Sequence, residues 1–338
     1  MKKHFLLFSI LFAAAALFAE KTSWKGDDYQ MYVYFNQNTQ PGDAIFVRLI
    51  FETKDKKILK AAEKNGQIQS TGKMQLFSAG EKSEKDISHA VFYPIKNQST
   101  KKMLRQELLA GVPLSSYQAV GDYNLLISYA PFGKEEFEFS LPIKITEKEF
   151  VKETIPLDAK NTAIKTNDSD ERWRQIQKLN AILETKNMNS VYNLSRFLPP
   201  TTATRRTSFF ADRRIYAYSN GKSSTSLHYG IDYGIPTGSE VRACGDGKVV
   251  MAEFRISTGW STVIEHLPGL YSLYYHQSEL KCGLGDIVKK GDLIGLSGAT
   301  GLATGPHLHW EMRLNMEAVS PDFFVNDFTF EEESKQGY

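Results

Sequence analysis

The chain has almost no cysteine, no surplus of charge once its first residues are set aside, and no apolar run long enough to span a bilayer. Each shortage narrows the field. The two cysteines, Cys244 and Cys282, permit at most one disulfide; in an exported chain they form that bridge or stay as two buried thiols, and both alternatives stand. Lysine and arginine number 41 against 39 acids, and Lys2 and Lys3 lie in a segment expected to be removed, which leaves 41 − 2 = 39 against 39. A near-neutral chain offers no electrostatic footing for nucleic acid or for an anionic membrane surface. The run from Phe5 to Ala19, broken only by Ser9, is about fifteen residues, short of the roughly twenty a spanning helix needs. Behind the positive Lys2-Lys3 it reads as a secretory signal, residues 1–19, cut after Ala19 or after the small-x-small triplet Ala14-Ala15-Ala16. The competing reading is an uncleaved anchor. No cysteine lies nearby to carry a lipid. Either way the bulk of the chain is expected outside the cytoplasm, periplasmic or secreted, with no stable membrane span after signal cleavage.

What is present, at 41% hydrophobic and 24% charged residues over 338, suits a soluble globular chain of about two domains. From 20 to 150 the signals are mostly β. Gly42 to Thr53 sets Ile45, Phe46, Val47, Leu49, Ile50 and Phe51 around Arg48, as in a strand buried on both faces. Glu135 to Thr146 alternates, with Phe137, Phe139, Leu141, Ile143 and Ile145 on one face, and Pro142 argues for an edge position. Together with Tyr123 to Tyr129, these runs predict a β-sandwich of immunoglobulin-like size. His89 reads as a strand residue. From 151 to 204 the pattern turns helical: Asp168 with Glu171 resembles a capping box, and Trp173, Ile176, Leu179, Ile182 and Leu183 have helical spacing. One amphipathic helix is not stable alone, so this helical linker is expected to pack on a domain. Pro199-Pro200 marks entry to a second domain, 205–325, followed by a tail, 326–338.

That second domain carries five of the seven histidines. Gly305-Pro-His-Leu-His-Trp-Glu-Met-Arg-Leu314, read as a strand, puts His307, His309, Glu311 and Arg313 on one face and Leu308, Trp310, Met312 and Leu314 on the other. Two imidazoles side by side on a strand begin a metal site, and spacing alone leaves open which of them is the ligand. His228-Tyr-Gly-Ile-Asp232 reads as extended, with His228, Gly230 and Asp232 aligned, and Gly230 leaves room for a substrate or ion to approach the backbone. His228, Asp232 and His309 make a three-ligand set with a fourth position open to water, as in catalytic zinc sites. Val263 to His266 and Leu270 to His276 flank Pro268-Gly269 as a hairpin, with His276 at the end of its second strand. The run Gly298 to Gly305 is not a phosphate loop, since it lacks the Lys-Ser/Thr ending and no helix follows.

His228-x-Gly-x-Asp232, the run Thr237-Gly238…Val241-x-Ala243…Gly245-Asp-Gly-x-Val249, Tyr275-His276 and Gly298-x-Thr-Gly…Gly305-Pro-His307-Leu-His309-x-Glu311 follow in order over about Thr207 to Pro321. This stretch resembles the lysostaphin-type zinc endopeptidases of the LytM class. The resemblance implies a mainly β fold ending in an antiparallel-β zinc peptidase domain. It implies one Zn²⁺ per chain on His228, Asp232 and His309, a catalytic pair in His276 and His307, and hydrolysis of peptide bonds in peptidoglycan stem or cross-bridge peptides through a zinc-activated water. With no His-Glu-x-x-His helix present, a histidine must serve as base. An upstream tyrosine often assists in this family, with Tyr216 and Tyr218 as candidates. Glu311 and His266 read as structural residues. The alternative is a catalytically inactive relative that binds the wall or activates a separate hydrolase. Such a relative is expected to have lost ligands, and here all five positions are filled.

Overall fold

The structure, a computed structural model, describes residues 20–65, 68–79, 86–328 and 330. The expected signal segment lies outside them, as do residues 331–338 of the tail. The chain divides between Glu147 and Lys148 into two compact units.

The first unit is built from two five-stranded sheets. In one, Ala44–Thr53 is central, between Gln30–Phe35 and Met103–Pro113, which explains why it is apolar on both faces. The charge at its middle, Arg48, is held by the buried Glu107. In the other, Phe137–Ile145 pairs along its length with Gly121–Ala130 and, only at Lys144 and Ile145, with Asn38–Thr39. Pro142 therefore sits where, among the described residues, one side of its strand has no partner. Val33, Leu49 and Phe51 from the first sheet meet Leu125, Ile127 and Phe139 from the second in one core, which makes the unit a sandwich. The sequence reading found only strands here. The structure adds a helix, Lys56–Asn65, capped by Asp55 Oδ1, which accepts from the backbone N–H of Lys57 and Ile58, and Ile58 and Leu59 press into the core.

The second unit has one large antiparallel sheet with strand order Arg206–Ser208, Gly230–Tyr233, Leu308–Leu314, Leu270–Gln277, Gly259–Leu267, Gly247–Arg255, Ile287–Val288. Residues 151–204 contribute to this unit. Lys152–Pro156 is a strand lying parallel to Arg213–Ala217. The helix Asp170–Glu184 lays Leu179, Ile182 and Leu183 on Met251, Val263 and Leu273 of the large sheet. Its cap is Ser169, whose hydroxyl accepts from the Arg172 N–H, so the capping residue lies one position beyond the expected Asp168. Ser169 has the extended backbone an N-cap requires and the hydroxyl that suits it.

Alternation on Leu308–Leu314 is as the sequence implied. Leu308, Trp310, Met312 and Leu314 are buried at 2% exposure or less, each contributing about 1.5–3 kcal/mol of apolar burial. The role expected of Gly230 is corrected. What approaches its Cα is no substrate but the neighbouring strand, since an added Cβ would lie 2.2 Å from the Trp310 carbonyl oxygen and 3.0 Å from Glu311 Cγ. Gly230→Ala is thus expected to lower stability by about 1–3 kcal/mol through overpacking. Urea titration would read this as a lower midpoint, and an unchanged midpoint would contradict the fit.

Candidate metal centre

Strand register brings the centre together. Asp232 on Gly230–Tyr233 is directly opposite His309 on Leu308–Leu314, and His309 is directly opposite Tyr275 on Leu270–Gln277. His228 reaches in from the link just before Gly230–Tyr233. His228 Nε2 lies 3.0 Å from Asp232 Oδ1 and 2.9 Å from His309 Nδ1, and His309 Nδ1 lies 2.8 Å from Asp232 Oδ1. All three side chains are buried. Each is also fixed from behind. His228 Nδ1 donates to the Phe209 carbonyl at 2.8 Å, His309 Nε2 meets Glu311 Oε1 at 2.9 Å, and Asp232 Oδ2 is 3.3 Å from Arg214 Nη2. Glu311 is held in turn by Arg313, at 2.8 Å from its Nε. The Tyr275 ring stacks on His309 at 5.4 Å, almost parallel.

Charge follows the contacts. Burial would raise Asp232, but His228 and His309 outweigh it and hold the carboxyl well below its usual range. Burial would likewise raise Glu311, yet Arg313 and His309 bring it down to about 2. Burial alone would lower His309, but Asp232 and Glu311 lift it to about 9 in the metal-free chain. Beside this acid-rich cluster stand two histidines of the opposite kind. Burial, with His307 and His309 nearby, lowers His276 to about 3, and burial also lowers His307. Both are neutral at pH 7. Their Nδ1–H groups donate to backbone carbonyls, His276 to Thr300 and His307 to Gly305, each at 2.8 Å. That leaves the Nε2 lone pair of each ring free for chemistry. The two rings are 4.6 Å apart, and both line a cleft of about 620 Å³ with the three clustered residues.

His276 has an unusual backbone. Its φ is +61°, and between the pairs Thr262↔Tyr274 and Trp260↔Gln277 two residues, Tyr275 and His276, oppose the single Ser261. This is a β-bulge, which re-aims a side chain that strict alternation would send to the other face. The strand runs one residue past His276, not ending there as the sequence suggested.

Residues 226–321 match the family model described as Peptidase family M23. The chain carries an M23 domain of the LytM/lysostaphin family. It is similar to the DD-carboxypeptidase/endopeptidase Mpg of Neisseria meningitidis, 42% identical over 28% of this chain and 22% of that protein. It is similar also to the peptidoglycan DD-endopeptidase ShyA of Vibrio cholerae, 35% identical over 38% of this chain and 29% of that protein. Among solved structures, the catalytic domain of the prophage-encoded M23 protein EnpA from Enterococcus faecalis is 32% identical, over 37% of this chain and 95% of that one, with a TM-score of 0.31. The chain spans less than a third of the length of these two curated relatives.

All five histidine and aspartate positions singled out in the sequence thus line one cleft of the M23 domain. Of the two tyrosines, Tyr216 lines it, while Tyr218 turns its hydroxyl to Ser224. His266 is fully buried, between the Asp246 carbonyl and the Ser272 hydroxyl. Cys244 and Cys282 are both free thiols. Sequence reasoning missed Arg214, which ties Asp232 to Glu153. Its one signal was the i, i+2 spacing to Tyr216, which places both on one strand face.

The donor set suits a zinc ion. With Nδ1–H of His228 and Nε2–H of His309 committed behind them, Nε2 of one ring and Nδ1 of the other converge beside a carboxylate oxygen; in the metal-free chain a proton on His309 Nδ1 holds the three together, and that is the place a shared cation would take. Glu311→Gln keeps the shape and removes the charge behind His309. It is expected to weaken zinc binding about 10–100-fold, read by competition with a chromophoric chelator; unchanged affinity would sink this role for Glu311.

Proposed function

We propose that the chain is an exported zinc-dependent endopeptidase that hydrolyses peptide bonds in the stem or cross-bridge peptides of peptidoglycan. The observation that carries this reading is the pairing, in one cleft, of a buried two-histidine, one-aspartate donor set with two neutral histidines whose protons are already placed. His228, Asp232 and His309 would hold the metal. When bound there, zinc supplies a Lewis acid that polarises the scissile carbonyl and lowers the pKa of water toward neutrality. The remaining steps belong to the chain. A histidine with Nδ1–H committed to a carbonyl has only a lone pair at Nε2, so His276 and His307 accept before they donate. One takes the proton of the attacking water at Nε2. As an imidazolium it then stabilises developing negative charge and delivers the proton to the amine nitrogen as the C–N bond breaks. Tyr275, stacked on His309, and Arg214, bound to Asp232, keep the donor set in place.

The substrate class is supported by the relatives, which include a peptidoglycan DD-endopeptidase. Export is supported by the charged and apolar character of residues 2–19. No helix among the described residues is long and apolar enough to cross a membrane. An inactive wall-binding relative would have no need of two tautomerically fixed histidines beside an intact donor set.

Purified peptidoglycan digested with the zinc-loaded chain should release peptides with new amino termini, identified by mass spectrometry; no products would overturn the proposal. His276→Ala and His307→Ala are expected to keep zinc and lose about 10²-fold or more in turnover, whereas His309→Ala loses zinc. Zinc loss in His307→Ala with retention in His309→Ala would reverse the assignment.

A further inference from the structure

One wall of the same cleft carries a cation that the reaction above does not use. Lys165 ends the helix Ala159–Lys165, where a positive charge suits the helix dipole. That preference would be met equally by an ammonium pointing into solvent. Instead Lys165 lines the cleft, its Nζ 4.5 Å above the Tyr216 ring, and Tyr216 is itself within 3.5 Å of Arg214. No carboxylate pairs with Lys165 among the described residues. Burial lowers its pKa, and Arg172 and Arg214, both cations, lower it further. The neighbouring charges are already committed. Arg214 is shared between Glu153 and Asp232, and Arg172 donates to the Ser257 hydroxyl and the Asn167 carbonyl. Desolvating an ammonium without a counter-ion is costly, and the cation–π contact offsets only part of that cost. An uncommitted ammonium calls for a negative charge, and the cleft opens beside it.

We propose that Lys165, braced on Tyr216, recognises a free carboxylate of the peptide substrate near the scissile bond and so makes the enzyme selective for acidic over amidated peptides. The proposal rests on the endopeptidase reading and names a specificity determinant within it. A carboxylate entering the cleft would form a charge-assisted hydrogen bond with Nζ in a partly desolvated setting, where such bonds are strong. Arg214 cannot take this role without releasing Asp232.

The test uses two synthetic stem-type peptides with a reduced, uncleavable bond, one with its carboxylates free and one with all of them amidated. Their binding to the full zinc-loaded chain is measured by calorimetry. The native chain is expected to bind the acid at least about tenfold more tightly. Lys165→Met should bring the ratio to about one, and Lys165→Arg should retain most of it. Equal affinities for the native chain, or a preference that survives in Lys165→Met, would overturn the proposal. Cleavable versions of both peptides separate the two readings. Failure to cut either one counts against the endopeptidase, whereas cutting both with equal kcat/KM counts against Lys165 as its selector.

Discussion

Three buried ligand atoms, on His228, Asp232 and His309, stand within hydrogen-bond distance of one another, and two of them are imidazole nitrogens facing each other. A polar group buried without a partner costs on the order of 1–3 kcal/mol, so the chain keeps this crowding only because each group is held from behind. The Phe209 carbonyl, Glu311 and Arg214 do the holding, and Arg313 holds Glu311. Glu311 and Arg313 share the strand of His309, Arg214 comes from Arg213–Ala217 in a second sheet, and Phe209 lies just past Arg206–Ser208, while the ligands themselves meet only when the large sheet has its register. Asp232, His309 and Tyr275 form one row across three strands, and a one-residue slip would turn His309 to the other face.

The bulge at Tyr275 and His276 adds the proposed catalytic pair to that row. Without the extra residue, one of the two aromatic rings would point away from the cleft. With it, Tyr275 stacks on His309 while His276 stands beside His307. A non-glycine residue at φ +61° is an uncommon conformation, tolerated by histidine better than by most residues. The His276 N–H bond to the Thr258 carbonyl and the ring's bond to Thr300 fasten it.

Much of this was legible in the sequence, and the reasons it was legible are physical. Alternation from Leu308 to Leu314 showed which face is core, because a half-buried strand repeats every two residues. The sandwich was visible in the same way, through Gly42 to Thr53 and Glu135 to Thr146. What escaped notice depends on contacts between distant parts of the chain. Arg214 matters because its strand brings it to Asp232, and Lys165 because a helix in the expected linker reaches the cleft. Local pattern misled at two points. Gly230 is a glycine to admit the backbone of another strand, and the helix cap is Ser169 because Asp168 is followed by a residue equally suited to capping.

His276 and His307 give their Nδ1 protons to main-chain carbonyls, and His228 does the same. Three of the four imidazoles in the cleft therefore take their protonation pattern from the path of the backbone. Side chains on the surrounding walls, Tyr216 and Lys165 among them, can change without disturbing where those protons reside. The fold thereby separates two inheritances. The course of the chain transmits the protonation pattern, while the residues lining the walls remain free to drift toward one ligand or another.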